Sequence, residues 1–100
     1  MQFLIKAYDG EGMLEKRMEV RPRHLEGMQK LVSHIIAAGG LLDENGKMKG
    51  SALIMDFESR EELDNYLANE PYVLAKVWEK IEVETSLIMS ANLPNLPLVL

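Results

Sequence analysis

The sequence predicts an α+β domain with four antiparallel strands and two helices on one face, in the order β-α-β-β-α-β. Three observations lead there. Apolar residues alternate in QFLIKAY, SALIMDF and EKIEVETSLIM, the period of a strand. Helical periodicity separates the first of these from the second and the second from the third. Between the first helix and SALIMDF, Asn45-Gly46 signals a tight turn and so a further strand before it.

In QFLIKAY, Phe3, Ile5 and Ala7 share one face, and Leu4, Lys6 and Tyr8 share the other. DGEG breaks the pattern as a loop. Pro22 suits a helix start, because the first turn needs no N–H from it. Leu25, Met28, Leu31, Val32, Ile35 and Ile36 then recur at helical spacing, and Gly39-Gly40 is expected to end that helix. In the strand SALIMDF, Leu53, Met55 and Phe57 alternate with Ala52, Ile54 and Asp56. Ser59 with Glu62 forms a capping box for a helix over about 60–68, with Leu63, Tyr66 and Leu67 inward. A short helical piece is expected around Pro71, and Ile81 and Val83 face inward on the last strand.

The element order is the ferredoxin-like arrangement, read as one domain over 1–100 with a core of about 2–88. The first and third strands are apolar on both faces, so the face without helices wants a cover. A second copy is the simplest cover, and a homodimer or higher homo-oligomer is expected. The apolar tail over 89–100 is expected to dock at that interface.

Sixteen acidic against eleven basic residues give a net charge of −5, which argues against nucleic acid as a partner. The chain has no cysteine, so disulfides and thiolate metal sites are excluded. No signal peptide or membrane-length apolar run is visible, and a cytoplasmic protein is the expectation. No phosphate loop, dinucleotide fingerprint or calcium loop appears, and two histidines ten residues apart make a weak metal signal. No cofactor and no metal are expected.

His24 heads the predicted apolar stripe, since 24, 28, 31 and 35 step by about one turn. At a helix start, imidazolium is disfavoured, and a neutral ring can accept a proton. Asp9 ends the first strand, and about a dozen residues of connection allow it to fold back on His24. An Asp–His pair sets the tautomer of a general base. Arg17, Arg21 and Arg23 cluster locally, and Arg17 or Arg21 could hold a small anion. His34 is read as a surface residue, and Tyr66, Tyr72 and Trp78 as packing residues. His24→Ala is expected to cost little stability.

The segments AYD, LEKRMEVRPRHLEGM, SALIMDFES and NEPYVLAKVWEKIEV together resemble the YciI-like (YCII-related) family of small bacterial proteins, over about residues 2–85. The resemblance implies a dimeric α+β barrel and a His–Asp pair that would fall on His24 and Asp9. It implies a cofactor-independent, lyase- or isomerase-like activity on a small, anionic compound, such as dehydrochlorination or muconolactone isomerisation. The family's Asp-Pro-Tyr/Phe turn reads Glu70-Pro71-Tyr72 here, which adds Glu70 and Tyr72 to Arg17 and Arg21 as substrate-binding positions. The segment SHIIAAGGLLDENGKMKG also departs from the family pattern. The alternative is a ligand-binding or regulatory module that uses the same cleft without turnover.

Overall fold

A computed structural model describes residues 1–89. Its elements are β1 (Gln2–Asp9), α1 (Leu14–Lys30), β2 (Ile35–Leu42), β3 (Met48–Asp56), α2 (Arg60–Asn69), α3 (Pro71–Leu74) and β4 (Trp78–Ser86). The strands form one antiparallel sheet in the order β2-β3-β1-β4, the ferredoxin-like topology. The proposed docking of the tail lies outside the described residues.

Alternation along the strands sorts the side chains as the sequence suggests. Phe3, Ile5 and Ala7 of β1 and Leu53 and Met55 of β3 are buried under the helices with Val20, Met28 and Leu63. Burial of each larger side chain contributes about 1.5–3 kcal/mol. The opposite face carries Leu4, Lys6, Tyr8, Ala52 and Ile54, all half-buried, with Lys6 opposite Glu82 and Leu4 opposite Glu84.

Two features differ from the sequence reading. α1 begins at Leu14, so Pro22 lies inside it rather than in its first turn. Pro22 and Met18, the residue whose carbonyl loses its usual partner, are both exposed, and water can take that bond. α1 also ends at Lys30, where a short 3-10 turn over Val32–His34 redirects the chain. Gly39-Gly40 therefore belongs to β2, paired with Ala52 and Ser51 of β3, and is no helix end. Ile-Ile-Ala-Ala-Gly-Gly hides its strand period because the small residues contrast little in polarity.

The Asn45-Gly46 turn forms, with Gly46 at φ 79 and Asp43 Oδ1 accepting from the backbone N–H of Asn45 and Lys47. Ser59 caps α2 by accepting from Glu62 N–H at 3.2 Å. Glu62 returns to the N–H of Glu58 rather than of Ser59. His34 is not a free surface residue. It is half-buried, stacks on Phe57 at 4.9 Å and donates from Nδ1 to the Asp56 carbonyl at 2.8 Å.

Candidate active site

Because α1 starts early, its buried stripe is Arg17, Val20, His24 and Met28. Steps of three or four residues place an arginine and a histidine on one otherwise apolar line. Arg17, not His24, heads it.

Arg17 is only 3% exposed, so its charge must be met inside the protein. Its Nη1 donates to both oxygens of Asp9, at 2.9 and 3.1 Å, and its Nη2 donates to Ser51 Oγ at 2.7 Å. Its guanidinium carbon lies 4.7 Å over the Tyr72 ring. Arg17 Nε is buried without a partner among the described residues. Burial pushes the Asp9 carboxyl pKa up, and the Arg17 charge and hydrogen bonds oppose that rise without cancelling it.

Asp9 and His24 share no hydrogen bond. The reason is geometric: Arg17 is the residue one turn into α1, beside the end of β1, whereas His24 lies seven residues further on. That spacing is about 10 Å of helical rise. His24 also stands well past the first turn, where a helix N-terminus acts on charge. The helix N-terminus is therefore too far from the His24 ring to act on its charge, contrary to the sequence-based expectation.

Glu70 supplies the carboxylate instead. Pro71 starts α3, and Glu70 is its N-cap, accepting from the N–H of Tyr72 through Oε1 at 3.2 Å. The same Oε1 is 2.7 Å from His24 Nδ1, and Oε2 accepts from the Tyr66 hydroxyl at 2.6 Å. Glu70 is 2% exposed, and all its partners are donors. An ionised carboxylate only accepts, so His24 Nδ1 carries a hydrogen in this contact, and in the neutral ring the lone pair then falls on Nε2. Nε2 makes no hydrogen bond among the described residues.

Tyr72 completes the arrangement. Its ring stacks on His24 at 4.3 Å, and Trp78 meets His24 edge-on at 6.2 Å. Burial raises the Tyr72 hydroxyl pKa, while Arg17 and Arg21 pull it down. The Tyr72 hydroxyl and the half-buried Arg21 have no hydrogen-bond or ion-pair partner among the described residues.

Arg17, Arg21, His24 and Tyr72 line one cleft of about 190 Å³, closed on the far side by Gly40 and Met48. A side chain at position 40 would fall on the Met48 sulfur, so the glycine keeps that wall thin. Drug-sized ligands occupy roughly 300–1,000 Å³, so this cleft suits a single-ring or short-chain compound. Arg17 is already neutralised by Asp9, which leaves Arg21 as the cation free to meet an anion. No group of three or more His, Cys, Asp or Glu among the described residues could hold a metal.

Six expected site residues thus resolve into two groups. Arg17, Arg21, His24 and Tyr72 face the cleft, Glu70 lies behind His24, and Asp9 lies behind Arg17. Ser51 and Tyr66 were missed. The four-residue step from Tyr66 to Glu70 was the one available signal for the latter.

The family model of the YCII-related domain matches residues 1–86. Protein YciI of Escherichia coli O6:H1 is 36% identical over 92 residues, covering 84% of this chain and 94% of the relative. An uncharacterized protein of Haemophilus influenzae is 33% identical over the same shares. Among solved structures, 5-chloro-2-hydroxyhydroquinone dehydrochlorinase (TftG) of Burkholderia phenoliruptrix AC1100, in complex with 2,5-dihydroxybenzoquinone, superposes with a TM-score of 0.81 at 31% identity. That match covers 86% of this chain and 93% of the other.

Proposed function

Since this chain belongs to the YCII-related family, we propose that it is a cofactor-independent enzyme that moves protons on a small, anionic, single-ring hydroxylated compound. The observation that carries the reading is the His24 ring: Glu70 occupies Nδ1, and Nε2 remains open beside a cleft of ring size. His24 is the general base and, once charged, the general acid. Glu70 orients the ring and balances its positive charge. Arg21 attracts the substrate's anionic oxygen, and the Tyr72 hydroxyl donates to a second oxygen. Asp9 acts at one remove, by neutralising and fixing Arg17.

Dehydrochlorination, the activity named for the Burkholderia relative, is chemistry that such a site can perform. Nε2 takes a proton from one ring hydroxyl, and the electron pair formed moves through the ring. The carbon that bears chlorine receives a proton from the imidazolium and becomes tetrahedral. A second hydroxyl then loses its proton, its electrons re-form the ring double bond, and chloride departs. The sum is loss of one H⁺ and one Cl⁻, with the hydroquinone oxidised to a quinone as the carbon–chlorine bond is reduced. No external oxidant is needed.

The working form in this reading is a cytoplasmic homodimer joined through the sheet face that the helices leave open. The half-buried Leu4, Tyr8, Ala52 and Ile54 on that face support it. Sedimentation as a stable monomer would refute the dimer.

The test of function is anaerobic incubation with 5-chloro-2-hydroxyhydroquinone, following chloride release and quinone absorbance, with 2,5-dihydroxybenzoquinone binding measured by calorimetry. Wild type should release chloride, and His24→Ala should lose turnover by at least about a hundredfold, the usual contribution of a general base. Binding without turnover in both proteins would favour the non-catalytic module. Neither binding nor turnover would remove this substrate class.

A further inference from the structure

Glu70 is held from two sides, and only one of them faces the cleft. Behind it, α1 and α2 enclose a second and larger hollow of about 410 Å³. Tyr66 and Glu70 both line that hollow. Tyr66 lies on the last turn of α2, four residues before Glu70, so its hydroxyl reaches the carboxylate within one helical turn. The ring cannot swing freely, because it packs against Phe57 with centroids 6.1 Å apart. Its hydroxyl oxygen is also 3.4 Å from Met28 Sδ. The single hydroxyl hydrogen must choose between them, and the charged oxygen at 2.6 Å wins over a thioether.

The three donors on Glu70 divide its oxygens unequally. Oε1 meets both the Tyr72 N–H and His24 Nδ1, whereas Oε2 has Tyr66 alone. Without Tyr66, Oε2 is free to turn toward the hollow, which swings Oε1 off the line between the N-cap and the ring.

We propose that Tyr66 is a positioning residue for the cleft: its hydroxyl clamps Oε2 of Glu70 and thereby holds His24 in the Nδ1–H form with Nε2 open. It touches no substrate, since the hydroxyl lies on the far side of the carboxylate. The inference rests on the proton-transfer reading of His24, but it is testable without turnover. Other charged and titratable groups near His24 are Arg17 and Arg21 on its own helix and Tyr72 on α3. None of them contacts Oε2.

The experiment is long-range ¹H–¹⁵N NMR of the His24 ring in the full chain at fixed neutral pH, in wild type, Tyr66→Phe and Met28→Leu. Wild type should show Nδ1 protonated and Nε2 bare. Tyr66→Phe removes one hydrogen bond to a charged group and should shift the tautomer ratio toward Nε2–H by on the order of tenfold. Met28→Leu keeps the clamp and should leave the ring shifts at their wild-type values. Wild-type shifts in a folded Tyr66→Phe would overturn the proposal and reduce Tyr66 to a packing residue. Should Tyr66→Phe fail to fold, the wild-type protein decides alone. A slowly exchanging Tyr66 hydroxyl proton at low field supports the clamp, and a rapidly exchanging one overturns it. A bare Nδ1 in wild type would instead sink the reading of His24 on which both rest.

Discussion

Glu70→Ala removes an acceptor that serves three donors at once: the Tyr72 N–H, the Tyr66 hydroxyl and His24 Nδ1. At 2% exposure, water reaches the vacated space poorly, and the donors are left wanting partners. Charging about 1 kcal/mol for each gives a loss of about 3 kcal/mol. That is a large share of the ~5–15 kcal/mol that holds a domain together. At ~4–8 °C per kcal/mol for a chain of this size, Tm should fall by about 12–24 °C. Glu70→Gln separates charge from hydrogen bonding. The amide oxygen can still accept from Tyr72 and His24, and its NH2 group can donate to the Tyr66 oxygen. Its cost should be nearer about 1 kcal/mol, or ~4–8 °C. Thermal melts followed by circular dichroism at pH 7 measure both. The reasoning is refuted if Glu70→Ala melts within about 4 °C of wild type, or if the two variants melt together.

Three more outcomes follow from the geometry. Burial raises the folded Asp9 pKa above its ordinary 3.8, so the folded protein takes up that proton first as pH falls. Asp9's contribution is thus fullest below pH 3.8 and declines as pH rises through the folded value. Urea melts of wild type against Asp9→Asn should therefore show wild type gaining ground between pH 7 and 4, and the opposite slope would contradict this. Gly50→Ala would drive a Cβ into the carbonyl oxygen of Ala7 on the neighbouring strand, which no side-chain motion relieves. It should cost about 1–3 kcal/mol in chemical denaturation, and a neutral result would show that β1 and β3 can part locally. His24→Ala removes a ring stacked on Tyr72 and one donor to Glu70, and should cost about 1–3 kcal/mol by the same melts.

That last figure revises the sequence-based expectation of little cost, and it shows where sequence reasoning stops. Strand alternation in Phe3-Ile5-Ala7 and Leu53-Met55, the Asn45-Gly46 turn and the Ser59 cap are local signals, and each formed where its residues stand. The β2 strand was obscured by small residues, and the α1 start by a proline that helices usually admit only in their first turn. The second error carried into the site. Starting α1 near Pro22 put His24 next to Asp9 and left Arg17 in a loop. Starting it at Leu14 gives Asp9 to Arg17 and moves His24 along to meet Glu70, forty-six residues away in the chain. Such a long-range pairing depends on how α1 and α3 pack, and no spacing within either segment encodes it.

The double duty of Glu70 has a practical consequence. The oxygen that engages His24 also receives the backbone amide of Tyr72, so one peptide hydrogen is tied to the state of the imidazole's partner. Its deuterium uptake is a clock on the site that needs no ligand and no assay of turnover. Any event that pulls the carboxylate away, such as a substitution, acid or a competing guest, also strips the Tyr72 N–H of its acceptor at the start of α3. The cleft cannot lose its orienting carboxylate silently; a slower or faster isotope trace at one amide would announce it.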